Sequence, residues 1–514
     1  MEKVLAAKIV IRSVVTKQEE KLDDILHKMG AHNMFFDMAF YGLFTIGVAV
    51  LKKRTFAATA RHSLKSQIDF YQENRTPTTS AMMKLSNPYT AGNPVYGRNK
   101  FIGRADVLCD VLWTLSNPDT NAIMLFGQRR IGKTSILLHI QQELIEKHEY
   151  TPIYFDLQHK ASFPLVDVLY HIAQKISFVL KTPLPRREQF DVSGKFFREV
   201  FIPAAVKIVK SQGLILLFDE CGVLDLSQQR PAGISFFPYL QHWLKVGEGL
   251  QAVFALGRRP GKLSANSLLT FKAMRSRKIL LMTREECAAI IRQSEKNASL
   301  RWSDKAVTRV WYWTQGHPYF TQLLCSEIWE AAFAERDFVE HDARGERDSP
   351  GDLTIRSPAN VDAAIGGALV HGAHAFQWIW HDLSLAEQLV MAAMAEIQGD
   401  HISQKEFMEV LNHSGVRSIL PEIKIRLNML IWWELLRPAN EGFRFAVPLL
   451  RRWVITEKPL RRVKATLEVN LERLAESLHR SAKDSCERGN LNKAALLLHN
   501  VLHLHPNSFR TPRC

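Results

Sequence analysis

Cysteine is scarce in this sequence, and the few cysteines present are scattered. Six occur among 514 residues, at positions 109, 221, 287, 325, 486 and 514. None stands in a CxxC pair or in another spacing typical of metal ligands. The pattern therefore gives no sign of a metal module, and it indicates free thiols in a reducing compartment.

Acidic residues are also in short supply. The chain has 52 Asp and Glu against 67 Lys and Arg, which gives a net charge of +15. A basic balance favours contact with nucleic acid or an anionic membrane surface, although many soluble proteins are basic with neither partner. The composition is otherwise ordinary for a globular protein, with 46% hydrophobic and 23% charged residues.

Long apolar runs are rare, and the one candidate for a membrane segment covers residues 34–51. Its length is at the lower limit for a span, Asp37 near its start opposes insertion, and Lys52-Lys53-Arg54 follows it. It begins too far from Met1 for an ordinary cleaved signal peptide. Two interpretations stay open: an anchor that keeps the chain on the inner face of the cytoplasmic membrane, or a buried helix packed on residues 3–15.

The stretch NAIMLFGQRRIGKTSILL, residues 121–138, carries the clearest motif. An apolar strand runs into GxxxxGK[ST], and an amphipathic helix follows, so backbone N–H groups and the helix N-terminus would face one anion. Lys133 is expected to reach the β- and γ-phosphates and Thr134 to bind Mg²⁺. The expected nucleotide contacts are Gly127, Gln128, Arg129, Arg130, Ile131, Gly132, Lys133, Thr134 and Ser135.

A second motif supplies the acids that such a site needs. The apolar strand 214–218 ends in Asp219 and Glu220. Asp219 is expected to hold Mg²⁺ through its water shell, and Glu220 to activate the attacking water. The strand at 251–256 ends in Gly257 and two arginines, so Arg258 is the candidate that senses the γ-phosphate. Glu220, Lys133 and Arg258 form the predicted catalytic set.

Apolar strand-like runs alternate with helical patterns through the middle of the chain, which predicts a parallel sheet covered by helices. The length indicates several domains. Residues 335–358 are charged and turn-rich, and are predicted to be a linker or exposed loop. The predicted regions are a helical N-terminal region at 1–85, a P-loop ATPase domain at 86–278, a helical lid at 279–345, a winged helix at 358–460 and a helical tail at 461–514.

The residues around these motifs resemble bacterial and archaeal STAND-type ATPases, relatives of the NACHT and NB-ARC switches and of AAA+ ATPases. GQRRIGKTS is typical of that group, and the preceding FIGR segment is similar to its FxGR element. The resemblance implies that Phe101, Gly103 and Arg104 lie beside the adenine and ribose. It also implies that Pro318, in the Gly316-His317-Pro318 motif of the lid, packs against the base; His317 is expected to be a capping or packing residue.

The C-terminal part extends the resemblance. Segments 384–396, 403–414 and 420–436, with a strand pair around 440–442, resemble a winged helix, which in this family holds the ADP-bound core shut. Ala482, Gly489, Ala494 and Pro506 match positions of one tetratricopeptide repeat. Because a single repeat is too short to stack, the tail either docks on the winged helix or is the remnant of a longer array.

Three functions from different classes stay open. The favoured one is a slow, Mg²⁺-dependent ATPase that switches between a closed ADP form and an oligomerising ATP form in signalling or defence, with an unidentified trigger or target protein. The alternative is an AAA+ initiator or loader that binds DNA through its winged helix, supported by Arg451, Arg452, Arg461 and Arg462. Against it, segment 420–436 has the apolar composition of a packed interface. The third is a scaffold that barely hydrolyses ATP.

Overall fold

The structure is a computed structural model. It describes residues 86–504, except for 98–99, 118, 161, 210, 225–235, 238, 241–248, 258–273, 343–353, 356, 414–422 and 489. The predicted N-terminal region with its apolar segment 34–51 lies outside the described residues, as do Arg258, Gly489 and Pro506. Among the helices that are described, none is long and apolar enough to cross a membrane.

A five-stranded parallel sheet forms the centre of the α/β part and confirms the predicted fold class. The strand order is β2-β3-β4-β1-β5, and every neighbouring pair is parallel. All residues of β1 and β3 are buried, as expected for central strands covered on both faces. The strands are β1 (Ala122–Phe126), β2 (Thr151–Asp156), β3 (Leu214–Asp219), β4 (Leu250–Leu256) and β5 (Arg275–Lys278).

Helices between these strands pack against the sheet. Because all five strands are parallel, their carboxyl ends meet at one edge, and the loops that leave this edge are where ligands bind in such sheets. The P-loop and the acids at the end of β3 both lie at this edge. The helices are α1 (Ala105–Ser116), α2 (Lys133–Lys147), α3 (Leu165–Leu180) and α4 (Ile202–Ile208), with a π-helical turn at Phe197–Phe201 before α4.

Strand β5 was not predicted, because its sequence Arg-Ser-Arg-Lys contains no apolar residue. It pairs with β1 at the edge of the sheet, and its first two residues are exposed. Its arginines bind carboxylates of α1: Arg275 lies 3.5 Å from Asp110, and Arg277 lies 2.8 Å from Asp110 and also binds Asp106. Ion pairs with α1 thus accompany a strand that has no apolar side chain to bury.

A helical region follows the sheet and corrects part of the predicted linker. The last helix, α8, extends through Asp342, and residues 354–355 form a short strand parallel to 301–302, so segment 335–358 is not a continuous loop. The elements are α5 (Arg284–Ile291), α6 (Gln293–Lys296), β6 (Arg301–Trp302), α7 (Asp304–Thr314), α8 (Pro318–Asp342) and β7 (Thr354–Ile355).

The next module is built around α12, whose residues 389–395 are all buried. Its three-stranded sheet has the order β8-β10-β9 with antiparallel neighbours, and the turn at 440–441 joins β9 to β10 as predicted. The elements are α9 (Pro358–Ala363), α10 (Ile365–His371), α11 (Ala373–His381), α12 (Leu385–Glu396), β8 (Ile402–Ser403), α13 (Gln404–His413), α14 (Ile423–Trp432), β9 (Leu436–Ala439), β10 (Gly442–Phe445) and α15 (Pro448–Glu457).

Two long helices close the described chain, α16 (Leu460–Glu487) and α17 (Leu491–Leu504), and they pack against each other as a hairpin. The first turns of α16 also pack on α12. Leu460, Val463 and Leu467 are buried there, and the Leu460 amide donates a hydrogen bond to Glu396 over 2.8 Å. The tail therefore docks on the preceding module.

Candidate nucleotide-binding site

The loop between β1 and α2 has the backbone shape of a phosphate-binding loop. Arg130 and Gly132 have φ angles of 62° and 99°, in the left-handed region. Gly127 passes close to the neighbouring chain, since a Cβ there would lie 2.8 Å from the carbonyl oxygen of Ile279. This tight turn leads directly into α2, which begins at Lys133, so the loop and the positive helix end face the same space.

The side chain of Lys133 folds back over this loop. Its Nζ donates to the carbonyl oxygens of Gly127 at 3.0 Å and Gln128 at 2.6 Å. Burial lowers the pKa of Lys133 to about 8, partly offset by the carboxylates of Glu220 and Asp219. The cation therefore stands close to both acids at the end of β3.

A cavity of about 650 Å³ opens beside the P-loop. Most of the predicted site residues line it, and it also collects residues that the sequence did not single out. The predicted lining residues are Phe101, Arg104, Arg129, Arg130, Ile131, Gly132, Lys133, Thr134, Ser135, Asp219, Glu220 and Pro318. Gly103, Gly127 and Gln128 do not line it. The lining residues that the sequence did not predict include Thr90, Tyr154, Asp156, Gln158, Tyr319, Gln322 and Trp378.

The two acids at the end of β3, Asp219 and Glu220, differ in their surroundings. The Asp219 carboxylate is buried and accepts hydrogen bonds from the Tyr154 hydroxyl and the Glu220 amide, both over 2.9 Å. Glu220 has a left-handed backbone, with φ 52°. Burial raises the pKa of Glu220, Lys133 opposes this and Asp219 adds to it. Asp219 is thus fixed by donors, while Glu220 is a partly desolvated acid suited to accept a proton.

The end of β4 approaches Glu220 closely. A Cβ atom at Gly257 would lie 3.0 Å from Glu220 Oε2. Gly257 thus approaches the second acid with its backbone alone. Arg258, the predicted sensor, lies outside the described residues, so its role stays a prediction.

The FIGR segment supports the P-loop from one side. The Phe101 ring stacks on His139 of α2, with ring centres 4.2 Å apart. Arg104 is buried, and its guanidinium donates to the carbonyl oxygens of Leu280 at 2.6 Å and Ile131 at 3.0 Å. Gly103 lies against the Glu286 carboxylate. Arg104 therefore holds the P-loop backbone directly, in addition to lining the cavity.

The start of α8 forms another wall. Pro318 is the first residue of the helix, and Gln322 stands one turn further along, also facing the cavity. Gln322 Oε1 accepts the Thr90 amide over 3.1 Å. His317 is fully buried against Phe320, with ring centres 4.3 Å apart, and burial lowers its pKa to about 3. His317 is therefore a packing residue, as the sequence indicated.

Three consecutive P-loop side chains bind residues far along the chain. Gln128 donates to the carbonyl oxygen of Trp433. Arg129 forms an ion pair with Asp382 at 2.9 Å. Arg130 donates to the carbonyl oxygen of Gly92, and its guanidinium lies 4.6 Å from the Trp378 ring centre and 5.4 Å from that of Tyr319. Arg129, an expected nucleotide contact, thus lines the cavity and also pairs with an acid.

The end of α14 packs on the same edge of the sheet. The Trp432 ring stacks on Phe126, the last residue of β1, with ring centres 5.6 Å apart. Lys278 lies over the Trp432 ring and also donates to its carbonyl oxygen. The Glu434 carboxylate accepts the Leu281 amide over 3.0 Å. The apolar composition of segment 420–436 predicted a packed interface, and Trp432 and Glu434 of this segment do contact the sheet and the residues after it.

No protein-family model matches the chain, and the comparison with curated proteins finds no match. Among solved structures, the Walker-type ATPase PABY2304 of Pyrococcus abyssi is 11% identical with a TM-score of 0.50, over 71% of this chain and 98% of that chain. The RuvB Holliday junction branch migration motor of Thermotoga maritima is 15% identical with a TM-score of 0.35, over 68% and 95%. The Orc1 protein of Aeropyrum pernix, solved in complex with DNA, is 14% identical with a TM-score of 0.35, over 71% and 95%. The parallel sheet, the loop after β1 and the similarity to PABY2304 give this chain the fold of a P-loop ATPase.

Proposed function

We propose that this protein is a STAND-type molecular switch that binds ATP and Mg²⁺, hydrolyses ATP slowly, and alternates between a closed ADP form and an oligomerising ATP form. The observation that carries the proposal is the set of contacts from Gln128, Arg129 and Arg130 to residues 378–433. The same loop that would hold the phosphates is held by the C-terminal module.

Binding follows from the P-loop geometry. The loop amides and Lys133 would bind the phosphates, and Pro318 and Gln322 would face the base at the other side of the cavity. The Thr134 hydroxyl and the Asp219 carboxylate are hard oxygen donors that fit Mg²⁺, which would neutralise charge on the β- and γ-phosphates.

Hydrolysis would use Glu220 as general base. A water attacks the γ-phosphorus, Glu220 takes the proton of that water, and the bond from the γ-phosphorus to the bridging oxygen breaks, leaving ADP and inorganic phosphate. The raised pKa of Glu220 suits this role, because a general base works best when its pKa lies closer to the pH of the solution. Gly257, directly after β4, brings no side chain to this water, so a sensor of the γ-phosphate would have to come from the next residue, Arg258, as the sequence predicts.

The link between nucleotide and conformation would pass through Arg129. An added phosphate charge near its guanidinium competes with Asp382 for the same cation, so nucleotide state changes how firmly the C-terminal module is held. We assign residues 384–447 to a winged helix, because α12, β8, α13, α14, β9 and β10 occur in the order that the motif requires. We assign the tail to a tetratricopeptide-like hairpin, because its two helices, α16 and α17, pack against each other.

The partners belong to the proposal as well. Self-association in the ATP state and a trigger or target protein follow from the switch, and residues 34–51 would hold the chain at the inner face of the cytoplasmic membrane. One of the four arginines that support the DNA-loading alternative, Arg451, donates to the carbonyl oxygens of Ile397 and Gly399, and Trp432 packs on the sheet. The other three, Arg452, Arg461 and Arg462, are exposed. Salt-dependent duplex binding is what that alternative requires.

The test compares two carboxylates in similar ion pairs. Asp382→Asn weakens the pair with Arg129, whereas Asp362→Asn weakens a 2.7 Å pair with Arg309 away from the P-loop. Since half-exposed pairs contribute about 0.2–1 kcal/mol, release of a fluorescent ADP should be about 1.5- to 5-fold faster in Asp382→Asn and unchanged in Asp362→Asn. Hydrogen exchange in 423–436 should be faster with a non-hydrolysable ATP analogue than with ADP. Equal exchange in both states, with wild-type ADP release in both variants, would refute the switch.

A further inference from the structure

Tyr154 connects the edge strand β2 to its neighbour β3 at the cavity, and both strands end in an aspartate. It lies on β2, and the register pairs Tyr154 with Leu217 and Asp156 with Asp219 of β3. The Tyr154 hydroxyl donates to Asp219 Oδ2 over 2.9 Å, while Oδ1 accepts the Glu220 amide over 2.9 Å. Each Asp219 oxygen therefore has a donor that fixes the plane of the carboxylate.

The hydrogen bond from Tyr154 to Asp219 joins two strands of the sheet and also lies beside the cavity. Tyr154 is half-buried, and it lines the same cavity as Asp219 and Thr134. A donor that binds the ionised form of a carboxylate stabilises that form and orients its free lone pairs.

We propose that Tyr154 is the positioning residue for Mg²⁺ binding at this site. It holds the Asp219 carboxylate in an orientation that would leave its remaining lone pairs available to the water shell of the metal. This inference rests on the proposed function, since it presupposes a Mg²⁺–nucleotide complex held by Thr134 and Asp219. Partners of metal-binding carboxylates commonly change metal affinity by about 10- to 100-fold when removed.

The experiment separates metal affinity from nucleotide affinity. Tyr154→Phe removes one oxygen and keeps the ring, and Tyr150→Phe is the matched control, because the Tyr150 hydroxyl donates to Leu115 over 3.2 Å outside the cavity. Affinity of the ADP complex for Mn²⁺, a spectroscopic stand-in for Mg²⁺, is measured by electron paramagnetic resonance. Affinity for a fluorescent ADP is measured in EDTA.

We expect Tyr154→Phe to bind Mn²⁺ about 10- to 100-fold more weakly, with its ADP affinity in EDTA unchanged. Tyr150→Phe should match the wild type in both. Wild-type Mn²⁺ affinity in Tyr154→Phe overturns the inference while leaving the proposed function intact. If Tyr154→Phe loses as much ADP affinity in EDTA as it loses Mn²⁺ affinity, the hydrogen bond only supports the structure of the site, and the inference is overturned. Failure of the wild type itself to bind ADP overturns the proposed function first.

Discussion

The ammonium group of Lys133 lies inside the P-loop, so its removal changes how the stability of the protein depends on pH. In the folded protein its pKa falls from 10.5 to about 8, with burial as the main cause. The difference of about 2.5 pH units, at about 1.36 kcal/mol per unit, corresponds to about 3 kcal/mol. Lys133 is buried, with 6% of its surface exposed, so screening by solvent reduces this figure little.

The sign of this pH dependence follows from the number of protons that the folded and the unfolded chain bind. Below pH 8 both the folded and the unfolded chain carry the proton, and Lys133 contributes no slope. Between pH 8 and 10.5 the unfolded chain holds more protons, so the free energy of unfolding rises with pH. Above 10.5 the contribution is constant. The wild type should therefore gain about 3 kcal/mol over Lys133→Met across this window, most of it by about pH 10.

Urea unfolding of both proteins without nucleotide, at several pH values from about 7 to 10, measures this difference. Every other lysine titrates in both proteins and cancels in the subtraction. Lys147→Met, on the same helix but exposed, measures the cost of losing a solvated lysine. If the curves of the wild type and Lys133→Met stay parallel within about 0.5 kcal/mol, the placement of the ammonium group inside the loop is wrong.

Three further predictions concern Glu220 and Gln322, which line the cavity, and the turn at Gly316 before α8. Glu220→Gln should bind ATP normally but release phosphate about 10²- to 10⁴-fold more slowly; normal release would exclude Glu220 as the base. Gly316→Ala should lower the free energy of unfolding by about 1–3 kcal/mol, because φ is 79° and a Cβ would lie 2.2 Å from the Met282 carbonyl oxygen; an unchanged melting temperature would contradict that backbone. Gln322→Glu keeps the acceptor for Thr90 but loses the amide donor that faces the cavity, so ADP affinity by calorimetry should fall about 10-fold; unchanged affinity would place the base elsewhere.

The parts of the site that depend on local sequence could be predicted. The loop at 127–134 and the acids at 219–220 each follow an apolar strand, and a parallel sheet brings the ends of such strands to one edge. That single rule places Lys133 near Glu220 without any knowledge of the helices around them. Strand β5 escaped prediction because it consists of Arg, Ser and Lys, and its place at the sheet edge is fixed by β1 and by the acids of α1.

The parts that depend on packing over long sequence distances could not be predicted. Asp382 lies 253 residues after its partner Arg129, and Gln322 lies 232 residues after Thr90. In the sequence Tyr154 has the pattern of an ordinary strand residue. Only the register of β2 on β3 brings its hydroxyl to Asp219. Polar contacts of this kind have no local pattern, because they are set by how the modules pack and not by strand or helix periodicity.

The most direct test of the switch is the mass of the Glu220→Gln protein in solution, measured by light scattering in mild detergent with ADP and then with ATP. Because this variant should hold ATP without cleaving it, the two nucleotide states can be compared at equilibrium. We expect a small ADP form and a defined larger oligomer with ATP. An identical mass in both states would contradict the switch; a constant ring would favour the DNA-loading class, and a constant monomer the scaffold.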